Sequence, residues 1–272
     1  MSARVGVVVF PGSNCEHDVV EAVVGLGGSA ELVWHGDRSV RGFDGVVLPG
    51  GFAHGDYLRP GAIARFSPVM GAVASYAADG GPVVGICNGF QVLTEAGLLP
   101  GALQKNRGLT FLCQPVTLRV ESLRSVLTAD AVEGATLRIP INHFEGNYTC
   151  SIETLAQLRD EGRVVLRYVD NPNGSVDDIA GICNERGNVV GLMPHPERAS
   201  DELLGSADGV MLVRSFLKSC GLFGAGAAGG AGQPGDVGQP GVGQPGDVGQ
   251  PEPRPMPARR NTDALTPASR QA

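Results

Sequence analysis

Pro82-Val-Val-Gly-Ile-Cys87-Asn-Gly-Phe-Gln-Val-Leu93 joins a short apolar run, a cysteine between two glycines, and a second apolar run at helical spacing. Pro82–Ile86 reads as a buried strand and Gly89–Ala96 as a helix. A strand passing directly into a helix must turn sharply at Cys87, and Gly85 and Gly89 let the backbone turn without Cβ clashes. This is the form of a nucleophile elbow, which lifts its central side chain above the sheet edge. Cys87 then lies at a helix N-terminus, where the dipole favours thiolate, and the backbone N–H of Asn88 faces any oxyanion formed on attack. A small apolar cysteine in an ordinary connection would fit the same residues, so other features have to decide.

Outward from the elbow, strands alternate with helices, the pattern of a mostly parallel α/β sheet covered on both faces. Val5–Phe10, Ala30–Trp34 and Gly45–Leu48 are strand-like, and Ser67–Ala78 reads as a helix. Ser13 and Glu16 have capping-box spacing ahead of a helix that ends near Gly27–Gly28. From Leu109–Val120 onward, with Val164–Val169, Asp178–Cys183 and Val189–Met193, strands separated by turns suggest a small antiparallel extension. Leu203–Lys218 reads as the closing helix, with Gly221 as its stop signal. The organisation predicted is one domain over 1–220 followed by a tail over 221–272. That tail, built on Gln-Pro-Gly units, has too few large apolar side chains to offset the entropy of ordering it.

Val-Val-Gly-Leu-Met-Pro194-His195-Pro196-Glu197-Arg198 is a strand ending in a proline-flanked loop. If that loop is extended, His195 and Glu197 point to the same side, and the carboxylate can fix the imidazole's orientation and tautomer. Alone, such a pair is more often structural; with an elbow cysteine upstream it completes a Cys-His-Glu triad. A third stretch, Val46–Ala64, passes from a strand into Gly50-Gly51, where the N–H of Gly51 or Phe52 can supply a second oxyanion donor. A flexible glycine turn is the alternative there.

The chain has 272 residues, 42% hydrophobic and 18% charged, with a formal net charge of −7. That balance gives no broad basic footprint for nucleic acid or an anionic membrane. The six cysteines form no CxxC pair, and Cys15, Cys113, Cys150, Cys183 and Cys220 read as structural. Scattered histidines (His17, His35, His54, His143) show no metal-ligand spacing, so no metal is expected. There is no P-loop. The absence of an apolar leader or spanning segment predicts a cytoplasmic protein.

Pro-Gly-Ser-Asn-Cys-Glu-His-Asp (11–18), the glycine loop 49–62, Gly-Ile-Cys-Asn-Gly-Phe-Gln (85–91), Ile-Asn-His-Phe-Glu-Gly-Asn-Tyr (141–148) and Pro-His-Pro-Glu-Arg (194–198) together resemble one family. It is the glutaminase subunits of phosphoribosylformylglycinamidine synthase, triad-type (class I) glutamine amidotransferases of purine biosynthesis. The resemblance spans roughly residues 4–220 and implies a flavodoxin-like sheet. It implies Cys87 as nucleophile, His195 as acid-base group, Glu197 as its orienter, and Gln91 with the His143, Phe144 and Glu145 segment as glutamine-binding. It further implies no cofactor on this chain, with ATP and magnesium used by a large synthetase subunit, and a small third subunit completing the complex. The chain departs from the family's common pattern at His54, Pro60, Asn142 and Phe144. A cysteine hydrolase on a related architecture and a non-catalytic scaffold are the competing readings.

Overall fold

The computed structural model describes residues 2–222, and the predicted tail falls almost wholly outside them. Eleven strands and five α-helices follow one another as β1 (Arg4–Val9), α1 (Glu16–Gly25), β2 (Ser29–Trp34), β3 (Gly45–Leu48), α2 (Pro68–Ala78), β4 (Val83–Ile86), α3 (Asn88–Glu95), β5 (Ala102–Gln104), β6 (Leu112–Val120), β7 (Thr136–His143), β8 (Asn147–Thr149), α4 (Ile152–Asp160), β9 (Val164–Tyr168), β10 (Ile179–Cys183), β11 (Val189–Leu192) and α5 (Gly209–Ser219). Nine strands form one sheet in the order β2-β1-β3-β4-β11-β10-β9-β6-β7, while β5 and β8 pair separately. None of the described helices is long and apolar enough to cross a membrane.

From β2 to β11 every pairing is parallel, so β1, β3, β4 and β11 all end at one edge. Their apolar runs, Val-Val-Leu in β3 and Val-Val-Gly-Ile in β4, are buried throughout because helices cover both faces. On one face Val19 and Val23 of α1 and Val213 and Phe216 of α5 pack over Val47, Val84 and Ile86. On the other, α3 lies so close that a Cβ on Gly85 would be 2.6 Å from Leu93, and one on Gly191 would be 2.0 Å from Phe90. The glycines of β4 and β11 are therefore the seat of α3.

Beyond β11 the sheet turns antiparallel, and this half is larger than the sequence suggests: β10, β9, β6 and β7 extend the same sheet. β7 escapes sequence reading because Pro140 interrupts it, and proline is tolerated there because β7 is an edge strand. Four strand spacings of about 4.8 Å would hold β7 roughly 19 Å from β11 in a flat sheet. Instead the His195 N–H donates to Pro140 O at 2.9 Å. The sheet must curl, and register shifts between β9 and β10 at Ile179–Ile182 mark where it bends.

Two local expectations fail. Ser13 does not cap α1: its Oγ accepts the Phe10 N–H at 3.0 Å, which closes the turn after β1 and leaves Cys15 at the N-cap. The closing helix begins at Gly209, not Leu203, because a 3-10 turn at Glu202–Leu204 ends on left-handed Gly205. A Cβ on Gly209 would be 2.1 Å from Pro196 O, so this helix starts where it can press against the segment carrying His195 and Glu197.

The tightest seat is Gly89, whose added Cβ would meet Leu48 O at 1.9 Å. Gly89→Ala is expected to lower stability by roughly 3 kcal/mol, as backbone cannot yield the way a side chain can. Urea unfolding of the full chain measures it, and a loss under about 0.5 kcal/mol would mean that α3 shifts freely on the sheet.

Candidate active site

Cys87 sits between β4 and α3 with φ 50° and ψ −105°, a backbone conformation rare for any residue with a Cβ. The strain is held from both sides: its N–H donates to Leu192 O at 2.7 Å, and Gly85 and Gly89 allow the close approach described above. The sulfur is buried and faces Asn142 O at 3.6 Å. Asn88 opens α3, so its N–H lacks an intrahelical acceptor.

His195 follows β11 and its ring reaches the same edge. Nδ1 lies 2.7 Å from Glu197 Oε1, and both side chains are 1% exposed. Burial opposes charge on this imidazole, but the Glu197 carboxylate and the Cys87 sulfur outweigh it, so His195 is held protonated well above its usual range. Glu197 reaches the ring by a route other than the one expected from the sequence. The segment turns into a 3-10 helix over Pro196–Ala199 instead of remaining extended, and Pro196 at its first position loses no hydrogen bond. His195 Nε2 and Glu197 Oε2 are buried with no hydrogen-bond partner among the described residues.

The glycine loop lies beside the elbow. Gly51 has φ 146° and a Cβ there would meet Ser13 Cα at 2.7 Å, so only glycine fits. The Phe52 N–H, expected as a possible oxyanion donor, is already given to Gly12 O at 2.8 Å, so of the three expected candidates it is the one engaged elsewhere. The loop is tied down by the Asn88 side chain: Oδ1 accepts from Ala53 N–H at 3.0 Å, and Nδ2 donates to Asp56 at 3.1 Å and to Gln91 Oε1 at 2.9 Å. Gln91 in turn donates to Glu145 O at 2.6 Å, so its amide braces the 143–145 segment. Phe144 O accepts the Asn106 N–H at 2.9 Å, and its ring lies 5.9 Å from Lys105 Nζ. Of the departures from the family pattern, Asn142 presents its carbonyl to Cys87, Pro60 is buried, and His54 takes φ 54° against the Ser67 hydroxyl at 3.4 Å.

Several neighbours carried no legible signal in the sequence. Cys15, read as structural, lies against the triad: its sulfur and ligand-type atoms of His195 and Glu197 are all within 4.8 Å of one another. Arg198 Nη2 donates to that sulfur at 3.2 Å while its Nε pairs with Asp18 at 2.8 Å. Asn106, Asn173 and Ser175 support the 143–146 segment from loops distant in sequence. Only the tertiary fold brings them there.

A buried cysteine on a strained strand-to-helix elbow, facing a His-Glu pair at the C-terminal edge of a parallel sheet, is the arrangement of cysteine-nucleophile hydrolases, the class that includes the triad-type glutamine amidotransferases. Residues 2–209 match the family model of the CobB/CobQ-like glutamine amidotransferase domain. A phosphoribosylformylglycinamidine synthase subunit PurQ from Rubrobacter xylanophilus is 60% identical over 214 residues, covering 79% of this chain and 97% of that protein. The structure of PurLQS from Thermotoga maritima contains a chain 44% identical with a TM-score of 0.75, covering 80% of this chain and 99% of that one. A Thermoplasma acidophilum protein described as part of a GMP synthase shares the fold, at 18% identity and a TM-score of 0.57 over 81% of this chain and 95% of that one. The chain belongs to the PurQ family of phosphoribosylformylglycinamidine synthase subunits.

Asp56 offers a test of the loop's electrostatics. Burial, partly offset by the Asn88 hydrogen bond and reinforced by Glu145, raises its pKa from 3.8 to about 6. A carboxyl whose pKa is raised on folding contributes stability below its unfolded value and loses it as pH rises through the folded one. Asp56→Asn is therefore expected to gain about 1 kcal/mol on wild type between about pH 4 and pH 7, after discounting for partial exposure. Urea titrations at both ends of that window check it, and a gain on acidification instead would mean that the carboxylate is stabilising.

Proposed function

We propose that this chain releases ammonia from glutamine by acyl transfer at Cys87, for a synthetase subunit that converts formylglycinamide ribonucleotide to formylglycinamidine ribonucleotide. The observation that carries the residue assignment is the buried His195–Glu197 pair at 2.7 Å, with the Cys87 sulfur among the groups that bias His195 toward its protonated form. An imidazolium beside a thiolate is the resting state a cysteine nucleophile needs.

The Cys87 sulfur attacks the carboxamide carbon, and the carbonyl π electrons move onto oxygen, where the N–H groups of Asn88 and Gly51 hold them. As the tetrahedral intermediate collapses, the C–N bond breaks and His195 gives its Nε2 proton to the departing nitrogen, so ammonia leaves. A glutamyl thioester remains. Water then gives a proton to His195 and attacks the thioester carbon, the C–S bond breaks, and glutamate is released. Glu197 holds the Nδ1–H throughout and stabilises the charge that His195 carries.

None of these steps needs a metal or nucleotide on this chain. The reading assigns ATP and magnesium to the large synthetase subunit, adds a small third subunit, and places the assembly in the cytoplasm. It rests on family membership and on a solved relative described as PurLQS. Ammonia passed inside such a complex avoids protonation in bulk water.

The test is labelling with a glutamine-mimicking electrophile, mapped by mass spectrometry, with and without the synthetase. Modification at Cys87, blocked by glutamine and absent in Cys87→Ala, is expected; labelling elsewhere would displace the nucleophile, and none at all would favour a scaffold. Glu197→Gln is expected to lower kcat by about 10²- to 10⁴-fold with little change in KM, since it removes charge stabilisation and not binding. A variant within threefold of wild type would deny Glu197 its role.

A further inference from the structure

His143 is a buried histidine that the mechanism above does not use. The residue is 3% exposed and its ring is wedged against Gly146, where an added Cβ would meet Cε1 at 2.1 Å. Its tautomer follows from Asn106. The Asn106 Nδ2 group faces two carbonyls, Thr110 O at 2.9 Å and His143 O at 3.0 Å, so it is the donor end. Asn106 Oδ1 is then the acceptor, and takes the Gly146 N–H at 3.1 Å. The His143 Nδ1 that stands 3.1 Å from the same oxygen must carry the proton. Nε2 is left with a lone pair and no proton. It is buried and has no hydrogen-bond partner among the described residues.

The ring stays neutral. Burial lowers its pKa to about 3, and the charge of His195 acts in the same direction. The segment that bears it lines the nucleophile: Asn142 O faces Cys87, and Glu145 O is held by Gln91. A buried acceptor without a donor is costly, unless a ligand supplies the proton.

Given the proposed glutamine chemistry, on which this step rests, we infer that His143 Nε2 reads the nitrogen end of the substrate carboxamide. It accepts an N–H from that group, which turns the nitrogen toward His195 and leaves the oxygen to the Asn88 and Gly51 donors. Glutamate brings only acceptor oxygens to the same place, so the lone pair opposes the product's carboxylate. His143 thus separates substrate from product, as a site built to accept a substrate N–H rejects an analogue lacking it.

The experiment uses the full chain with its synthetase and compares wild type with His143→Gln and His143→Phe, reading kcat, the glutamine KM and the glutamate inhibition constant. A glutamine side chain can rotate to donate, so in His143→Gln the preference for glutamine over glutamate is expected to fall by about tenfold or more, mainly through tighter glutamate binding. In His143→Phe, which keeps the ring but loses the lone pair, kcat is expected to fall by about tenfold or more. A purely structural role would weaken both ligands together and leave their ratio within twofold, which overturns the inference. Should the variants fail to fold, ¹⁵N NMR of the wild-type histidines still decides. Nε2 unprotonated across neutral pH, with a signal that moves on adding glutamine to Cys87→Ala but not on adding glutamate, supports it, and a protonated or unresponsive Nε2 overturns it. Electrophile labelling of Cys87 in wild type separates the two levels: failure there removes the glutaminase reading itself, whereas intact labelling with an unchanged ratio removes only His143.

Discussion

The structure depends on the backbone of Cys87, held at φ 50° between a strand and a helix. Such a conformation costs about 1–3 kcal/mol and persists only where its surroundings leave no alternative. Here the surroundings are two glycines whose missing side chains let α3 lie on β3 and β4 within backbone contact distance. Relaxing the elbow would require moving α3 off the sheet. The strain is thus set against the burial of Phe90, Val92 and Leu93, and burial of side chains this large is worth more than the strain costs.

The second constraint is electrostatic. Glu197 and His195 lie almost wholly inside the protein, where an isolated charge is prohibitively expensive and a paired one tolerable. Each therefore depends on the other, and removing one partner would leave a buried uncompensated charge, a change that typically costs about 3–5 kcal/mol. Outside this pair, Arg198 holds Asp18 and the Cys15 sulfur, so the 3-10 turn that presents Glu197 is fastened to the start of α1. The curled antiparallel half completes the enclosure by bringing Pro140, Asn142 and His143 of β7 to the same edge. Desolvation by this half keeps His143 neutral and strengthens every interaction of the triad.

Much of this was legible because local rules and the tertiary outcome agree. A four-residue apolar strand, a glycine two residues before the cysteine and another two after it can hardly be accommodated except by an elbow, and β3 and β4 fall within a residue of the expected bounds. Where they disagree, tertiary packing wins. Ser13 is drawn from helix capping into the turn after β1, and the helix expected from Leu203 starts at Gly209, where a missing side chain lets it meet Pro196.

The sequence by itself determined the elbow and the mostly parallel character of the sheet around it, and it singled out Cys87, His195 and Glu197, because each is written in contiguous residues whose spacing has a direct geometric meaning. Only the tertiary structure decided which N–H groups remain free, since Phe52 is spent on Gly12 across a gap of forty residues. It also decided that Cys15 abuts the triad and that Asn106 fixes the His143 tautomer. Those facts are contacts between segments far apart in the chain, and no local period or propensity encodes them; they follow from how far the sheet curls, which is set by the packing of the whole domain.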